Sequence, residues 1–212
     1  MPSLNRVTPF NELIATPARG TLMGNRGILH DDQGRIVKPF AHRNWITCLL
    51  EFEGRHRQVM TLGQYTHLFF LDEATALAAG HRPCGECRRA DYMRFKEAWA
   101  RVHGQEVGTV KAGDMDRVLH PERVAGRGGN RYKPTSSTTF GSIPDGVMFH
   151  QGEDDPVAQL KWKGRVWAWS PEGYRDGTRM DQGQSIEVLT PISVVGVIRA
   201  GYAPGVHGSV EG

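Results

Sequence analysis

Cys84 and Cys87 are the residues whose type and spacing most directly imply chemistry. Two thiolates three positions apart, around a tight turn, bite one metal ion. Pro83 fixes the approach to that turn, and Gly85 lets backbone N–H groups point at the sulfurs. Arg82, Arg88 and Arg89 favour the thiolate forms electrostatically. Zinc is the expected ion, because tetrahedral cysteine-rich sites are the common use of this spacing. Two other uses stay open: a redox dithiol, which usually sits in a βαβ context not visible here, and a pair of inert thiols. The third sulfur, Cys48, lies 36 positions upstream of Cys84. It is either a core thiol sharing a strand face with Ile46, Leu50 and Phe52, or a third ligand delivered from a neighbouring strand. His30, His42, His67 and His81 are candidates for a fourth ligand.

The elements that must position these residues follow from local pattern. The first forty residues look loop-like, with Pro9, Pro17, Gly20, Gly24, Gly27 and Gly34 breaking any helical period. Trp45–Glu53, a stretch near His56–Leu62 and Tyr65–Leu71 predict an antiparallel meander. Asp72 is a good N-cap for a short Ala-rich helix closed by Gly80. A longer helix spans about Arg89 to His103, with Tyr92, Phe95, Trp99 and Val102 as its buried stripe. Asp114 caps a further short helix through Leu119, and the Gly- and Arg-rich segment 124–137 reads as a linker or mobile loop. Beyond it come strands at Val147–His150, Ala158–Trp162, Arg165–Ser170 and Ser185–Leu189, then a helix opened by Thr190-Pro191 and closed by Gly201. The expected fold class is α+β: an antiparallel meander plus a zinc-knuckle helix module, with a β-rich C-terminal half. The expected organisation is a zinc-knuckle module over 1–112, a helix and linker over 113–137, and a β-rich region over 138–212 packed on the first.

The run FFLDEATALAAGHRPCGECRR, Phe69 to Arg89, resembles the second half of the Ada-type metal-binding domain. In that family a strand, an Ala- and Glu-rich helical turn and Ala-Gly-x-Arg-Pro-Cys-x-x-Cys supply two of four zinc cysteines. The resemblance implies zinc bound at Cys84 and Cys87 and a DNA-binding role. It covers about a tenth of the chain. The family's first half carries a Cys-x-x-x-Cys pair, whereas this chain has only Cys48 upstream, so methyl acceptance is not expected and a histidine would complete the site.

A Pro-Cys-x-x-Cys opening a helix also resembles the zinc nucleoside deaminases, whose chemistry needs three protein ligands, an open position for water and a proton-shuttling Glu. The nearest match here, Cys48 to Glu51, is one residue too long, and on a strand the two side chains would point to opposite faces. A metal-dependent nuclease would draw on His120 or His150 with Asp114, Asp116, Asp154 and Asp155. No recognisable spacing ties these together, and Asp154-Asp155 before Pro156 reads as a turn.

Composition sets the outer bounds. The 212 residues are 39% hydrophobic and 23% charged, enough for one large domain or two small ones with a real core. No apolar run approaches the roughly 18 residues of a membrane span, and MPSLNRVTPF lacks a secretory-signal pattern, so the cytoplasm is the expected compartment. Twenty-six Lys+Arg against 23 Asp+Glu give only +3, but the cations cluster: Arg19 and Arg26 in a Gly-rich loop, Arg82, Arg88, Arg89 and Arg94 around the cysteines, and Arg127, Arg131 and Lys133 in the linker. Such segments bring guanidinium forks and backbone N–H groups to phosphate. Trp162, Trp167 and Trp169 can offer a stacking platform, though they more naturally form the core of their own sheet. The sequence thus points to a zinc-stabilised nucleic-acid-binding protein, with DNA or RNA as partner and a role in DNA repair or processing. The alternatives are a zinc-dependent hydrolase of a nucleic-acid component and a zinc-stapled protein-interaction module.

Overall fold

Three strands lie where the glycine and proline spacing predicts only loop. They are β1 (Leu4–Val7), β2 (Leu13–Ala15) and β3 (Leu22–Asn25). Gly24 accounts for the misreading: a Cβ there would stand 2.2 Å from the Ile46 carbonyl oxygen, so this glycine serves close strand approach, not a turn. The structure, a computed structural model, describes residues 2–54, 59, 61, 63–152 and 157–211. The strand expected near His56–Leu62 lies, but for Val59 and Thr61, outside the described residues, as does the turn expected at Asp154-Asp155.

With β4 (Ile46–Cys48), β5 (Leu68–Phe70) and β6 (Arg82–Pro83), these strands form a six-stranded sheet of order β2-β1-β5-β3-β4-β6. The expected meander is replaced. β3 runs antiparallel between β4 and β5, while β1–β5 and β4–β6 are parallel pairs. The first expected strand stops at Cys48, and Leu49 and Leu50 beyond it are exposed.

α1 (Glu73–Ala78) begins as expected, with the Asp72 carboxylate accepting from the Thr75 N–H at 2.8 Å. All six of its residues are buried, and its small side chains let three hydrophobic clusters meet on it. Leu77 joins one, Ala74 and Ala78 a second, and Ala76 a third. Gly80 then turns the chain at φ +80°, where a Cβ would lie 2.6 Å from Arg123 Cδ.

α2 (Arg89–His103) has its expected bounds and buries Phe95 and Trp99, whereas Val102 is 41% exposed. α3 (Ala112–Arg123) starts before Asp114, which lies in its first turn instead of capping it, and runs on through Pro121.

The second sheet comprises β7 (Ser136–Thr139), β8 (Met148–His150), β9 (Gln159–Trp162), β10 (Arg165–Ser170), β11 (Gly173–Thr178) and β12 (Ser185–Val188), in the order β11-β10-β9-β8-β12-β7 and antiparallel throughout. β7 starts inside the expected linker, where Ala125 also pairs with Tyr132. α4 (Ile192–Arg199) closes the fold. The Thr190 hydroxyl accepts from Met148 N instead of capping this helix. Trp162, Trp167 and Trp169 pack against the cluster of Leu71, Met148, Leu160 and Tyr174. Leu77 and Phe95 share a cluster with Phe140 and Val197, so apolar packing is continuous across 113–137. Among the described residues, four α-helices and two open six-stranded sheets make this an α+β fold. No described helix is long and apolar enough to cross a membrane.

Candidate metal centre

The third sulfur is delivered by strand register. β4 and β6 pair in parallel, Ile46 opposite Arg82 and Thr47 opposite Pro83. The ladder continues through the Cys84 N–H, which donates to the Thr47 carbonyl at 2.9 Å. Cys48 and Cys84 therefore leave adjacent strands side by side. The turn after β6 then returns Cys87 to them just before α2 starts. The three Sγ atoms lie within 4.8 Å of one another. Sulfurs bonded to one zinc-sized ion at about 2.3 Å each stand about 3.8 Å apart in a tetrahedron, so the donor set fits a single metal ion. All three cysteines are free thiols, as an ion-binding set requires.

The sulfurs are electrostatically unequal. Cys84 is lowered to about 5, first by a hydrogen bond from the Cys48 thiol and then by the backbone N–H groups of Glu86 and Cys87, with burial opposing. Cys48 is pushed up by that same hydrogen bond, by burial and by its two sulfur neighbours. Burial also raises Cys87, against a backbone hydrogen bond from Leu49. Near neutral pH one sulfur is thus already ionised and two must lose protons to bind a metal. Apparent metal affinity should therefore climb with pH, by about hundredfold per unit between roughly pH 5 and 8, as expected for two released protons. Competition titrations against a chromophoric chelator across that range measure the slope. A flat profile would show that these thiols are not the ligands.

None of the four candidate histidines belongs to the sulfur set. His30 Nδ1 shares a 2.6 Å hydrogen bond with the Thr66 hydroxyl. Exposed His42 accepts from the Asn44 N–H. His81 accepts from Arg26 Nε at 3.2 Å, and its pKa is held well below the usual value, by burial first and by the charges of Arg26 and Arg123 next. His67 alone lines the same cleft as the cysteines, its ring 4.8 Å from that of Tyr65.

That cleft is the feature the sequence did not disclose. It encloses about 460 Å³ between the sheet face carrying Met23, Ile46, Cys48 and Phe69 and the segment carrying Leu49, Leu50 and Phe52. Glu51 lines it as well. The expectation that Cys48 and Glu51 point apart fails because β4 ends at Cys48 and strand alternation ends with it. Asp154 and Asp155 lie outside the described residues, and the described nuclease ingredients do not gather: Asp116 is buried against Arg82, Asp114 pairs with Arg117, and His150 packs on Phe10. Among the described residues the three cysteines are the only cluster of metal-ligating type.

The expected phosphate-contacting cations divide. Arg26, Arg82 and Arg88 are buried and held inside the fold. Arg82 makes a two-point pair with Asp116 at 2.6 and 3.2 Å. Arg88 Nη2 reaches Glu73 at 2.8 Å and Asp91 at 2.7 Å. Half-buried Lys133 donates to the Ala78 carbonyl. These four do not present free charge to a ligand. Arg19, Arg89, Arg94, Arg127 and Arg131 are exposed.

A cation cluster around Trp45 also escaped the sequence reading. The Arg26 and Arg123 guanidinium carbons lie 4.2 and 4.4 Å from the centroid of this fully buried indole. Phe40 and His120 pack beside it. Arg131 lies 5.4 Å over the Phe40 ring, and Arg43 is close enough to help lower the His120 pKa, after burial and Arg123. Burial, then mutual repulsion, lowers Arg26 to about 9; burial lowers Arg123 to about 10 with Asp116 opposing. Fold and site together define an α+β protein with a three-cysteine cluster that could hold a metal ion and that lines a cleft. No protein family, curated protein or solved structure matches the chain.

Proposed function

We propose that the chain is a zinc-stapled nucleic-acid-binding protein acting in DNA repair or processing. The observation that carries this reading is the cation excess around Trp45. Arg43, Arg127 and Arg131 are exposed, and Tyr132, next to Arg131 in the chain, is 64% exposed. None of the three pairs with a described carboxylate; Arg131 lies over Phe40, Phe40 packs on Trp45, and Arg26 and Arg123 crowd that indole. Guanidinium groups interleaved with aromatic rings suit phosphate contact and base stacking. Zinc belongs to this reading because three clustered thiolates are soft donors of the kind it takes. The Ada-like run lends further support. The metal's place is structural. It ties Cys48 to Cys84; Trp45 lies immediately before β4, and Arg82 opens β6.

Fluorescence anisotropy with labelled mixed-sequence DNA and RNA, single- and double-stranded, tests the reading. Affinity should fall steeply with salt, and the R127E/R131E double variant should flatten the log–log slope by about 2, one for each lost phosphate contact. Metal content should be unchanged. Absence of salt-dependent binding to every probe would leave the protein-interaction module in its place.

The cleft favours a second reading, a zinc-dependent hydrolase of a nucleic-acid component. A metal with three protein ligands supplies an activated water at its open position, and Glu51 provides a carboxylate in the same cleft that can accept a proton.

A further inference from the structure

We infer that the fourth position of the metal centre is a ligand site, taken by the nitrogen of a small, neutral, flat heterocycle lying in the cleft. This rests on the reading of Cys48, Cys84 and Cys87 as metal ligands. A closed structural site takes four protein donors, and the described residues bring three within reach. The same three cysteines line the cleft wall, so the side of the centre to which no described residue brings a donor faces the cavity.

The cavity selects its occupant by size, surface and charge. About 460 Å³ accommodates one or two rings. Met23, Ile46 and Phe69 form its floor, and Leu50, Phe52 and Tyr65 lie around it. Such walls suit an apolar or aromatic body, fixed by a few polar contacts. Charge excludes the obvious competitors. Three thiolates around a divalent ion leave one net negative charge, the carboxylates of Glu51 and Glu86 line the cavity as well, and no described lining residue is Lys or Arg. Phosphate, carboxylate and thiolate donors meet repulsion here, whereas an azole or azine nitrogen brings a borderline donor and no charge. The cavity therefore differs in kind from the arginine-rich surface around Trp45, where anions are favoured.

Cobalt substitution of the full chain tests this without an assay of activity. The protein reconstituted with Co²⁺ should show sulfur-to-cobalt charge-transfer bands and visible d–d bands. Titration with imidazole should shift the d–d bands saturably, with half-saturation on the order of 1 mM, as befits a ligand of few heavy atoms. Inorganic phosphate at the same concentrations should leave them in place. The L50W variant, altered at a residue 46% exposed on the rim, should keep the charge-transfer bands and lose most of the imidazole response. If the d–d bands ignore imidazole, a protein donor fills the fourth position and the inference falls while the metal centre stands. If phosphate shifts them equally, the neutral class is wrong. If charge-transfer bands never form, the metal centre itself is refuted.

Discussion

Replacement of Cys84 by Ser is expected to abolish stoichiometric metal binding and to lower the melting temperature by about 10 °C or more. Cys84 is the hinge of the site. Its N–H extends the β4–β6 ladder, its sulfur accepts the Glu86 N–H at 3.4 Å, and it is the thiol most readily ionised. β4 has three residues and β6 two, so backbone pairing alone holds this sheet edge weakly. A metal bound across the two strands supplies folding energy that an apo site lacks. Losing even 3–5 kcal/mol of it corresponds to about 10 °C in a domain of this size. Thermal scans with metal analysis on wild type, C84S and chelator-treated wild type provide the measurement. The last two should melt together, and chelator should leave C84S unmoved. A variant that keeps both its metal and its melting temperature would remove the structural role.

The parts of this site that could be read in the sequence are the parts fixed by neighbours in the chain. Asp72, the alanines after it, Gly80 and the Cys84–Cys87 turn lie within one short stretch, and α1 and α2 appear where local pattern puts them. Cys48 does lie beside Cys84, because β4 and β6 pair. Its partner β3 was missed because glycine in a strand looks identical to glycine in a turn until the Ile46 carbonyl is seen against it. The arginines failed for a related reason. Nothing local distinguishes Arg82 from Arg89; the difference is made by Asp116, 34 positions on, which pairs with one and not the other. Trp45 gives no hint in the sequence of its flanking guanidiniums either, because Arg26 and Arg123 reach it from elements far apart in the chain. Helix identity is written locally here, while strands built around glycine and the burial of charge are written by topology.

Asp116 is accordingly where a single small change should cost most outside the metal centre. D116N keeps the shape of the side chain and removes the carboxylate from a region holding Arg82, Arg123 and Arg26. Asp116 and Arg82 are 1% and 5% exposed, and Arg123 Nη1 stands 4.0 Å from the same carboxylate. Breaking a buried pair by neutralising one partner typically costs about 3–5 kcal/mol, because the surviving charge has neither water nor counter-ion. Here two guanidiniums are left, so the upper end of that range is expected, again about 10 °C in melting temperature. The double variant R82M/D116N separates loss of the pair from exposure of the remaining charge. Removing both charges should recover a large part of the loss, since replacing a buried pair with apolar atoms is often near neutral. Recovery should still be incomplete, because Arg123 loses its nearest carboxylate in either background. Urea unfolding of the four proteins in the cycle yields the coupling energy directly. A D116N protein as stable as wild type would mean that the cations around Trp45 do not depend on this carboxylate, and the charge excess proposed to attract nucleic acid would have to be balanced by other groups.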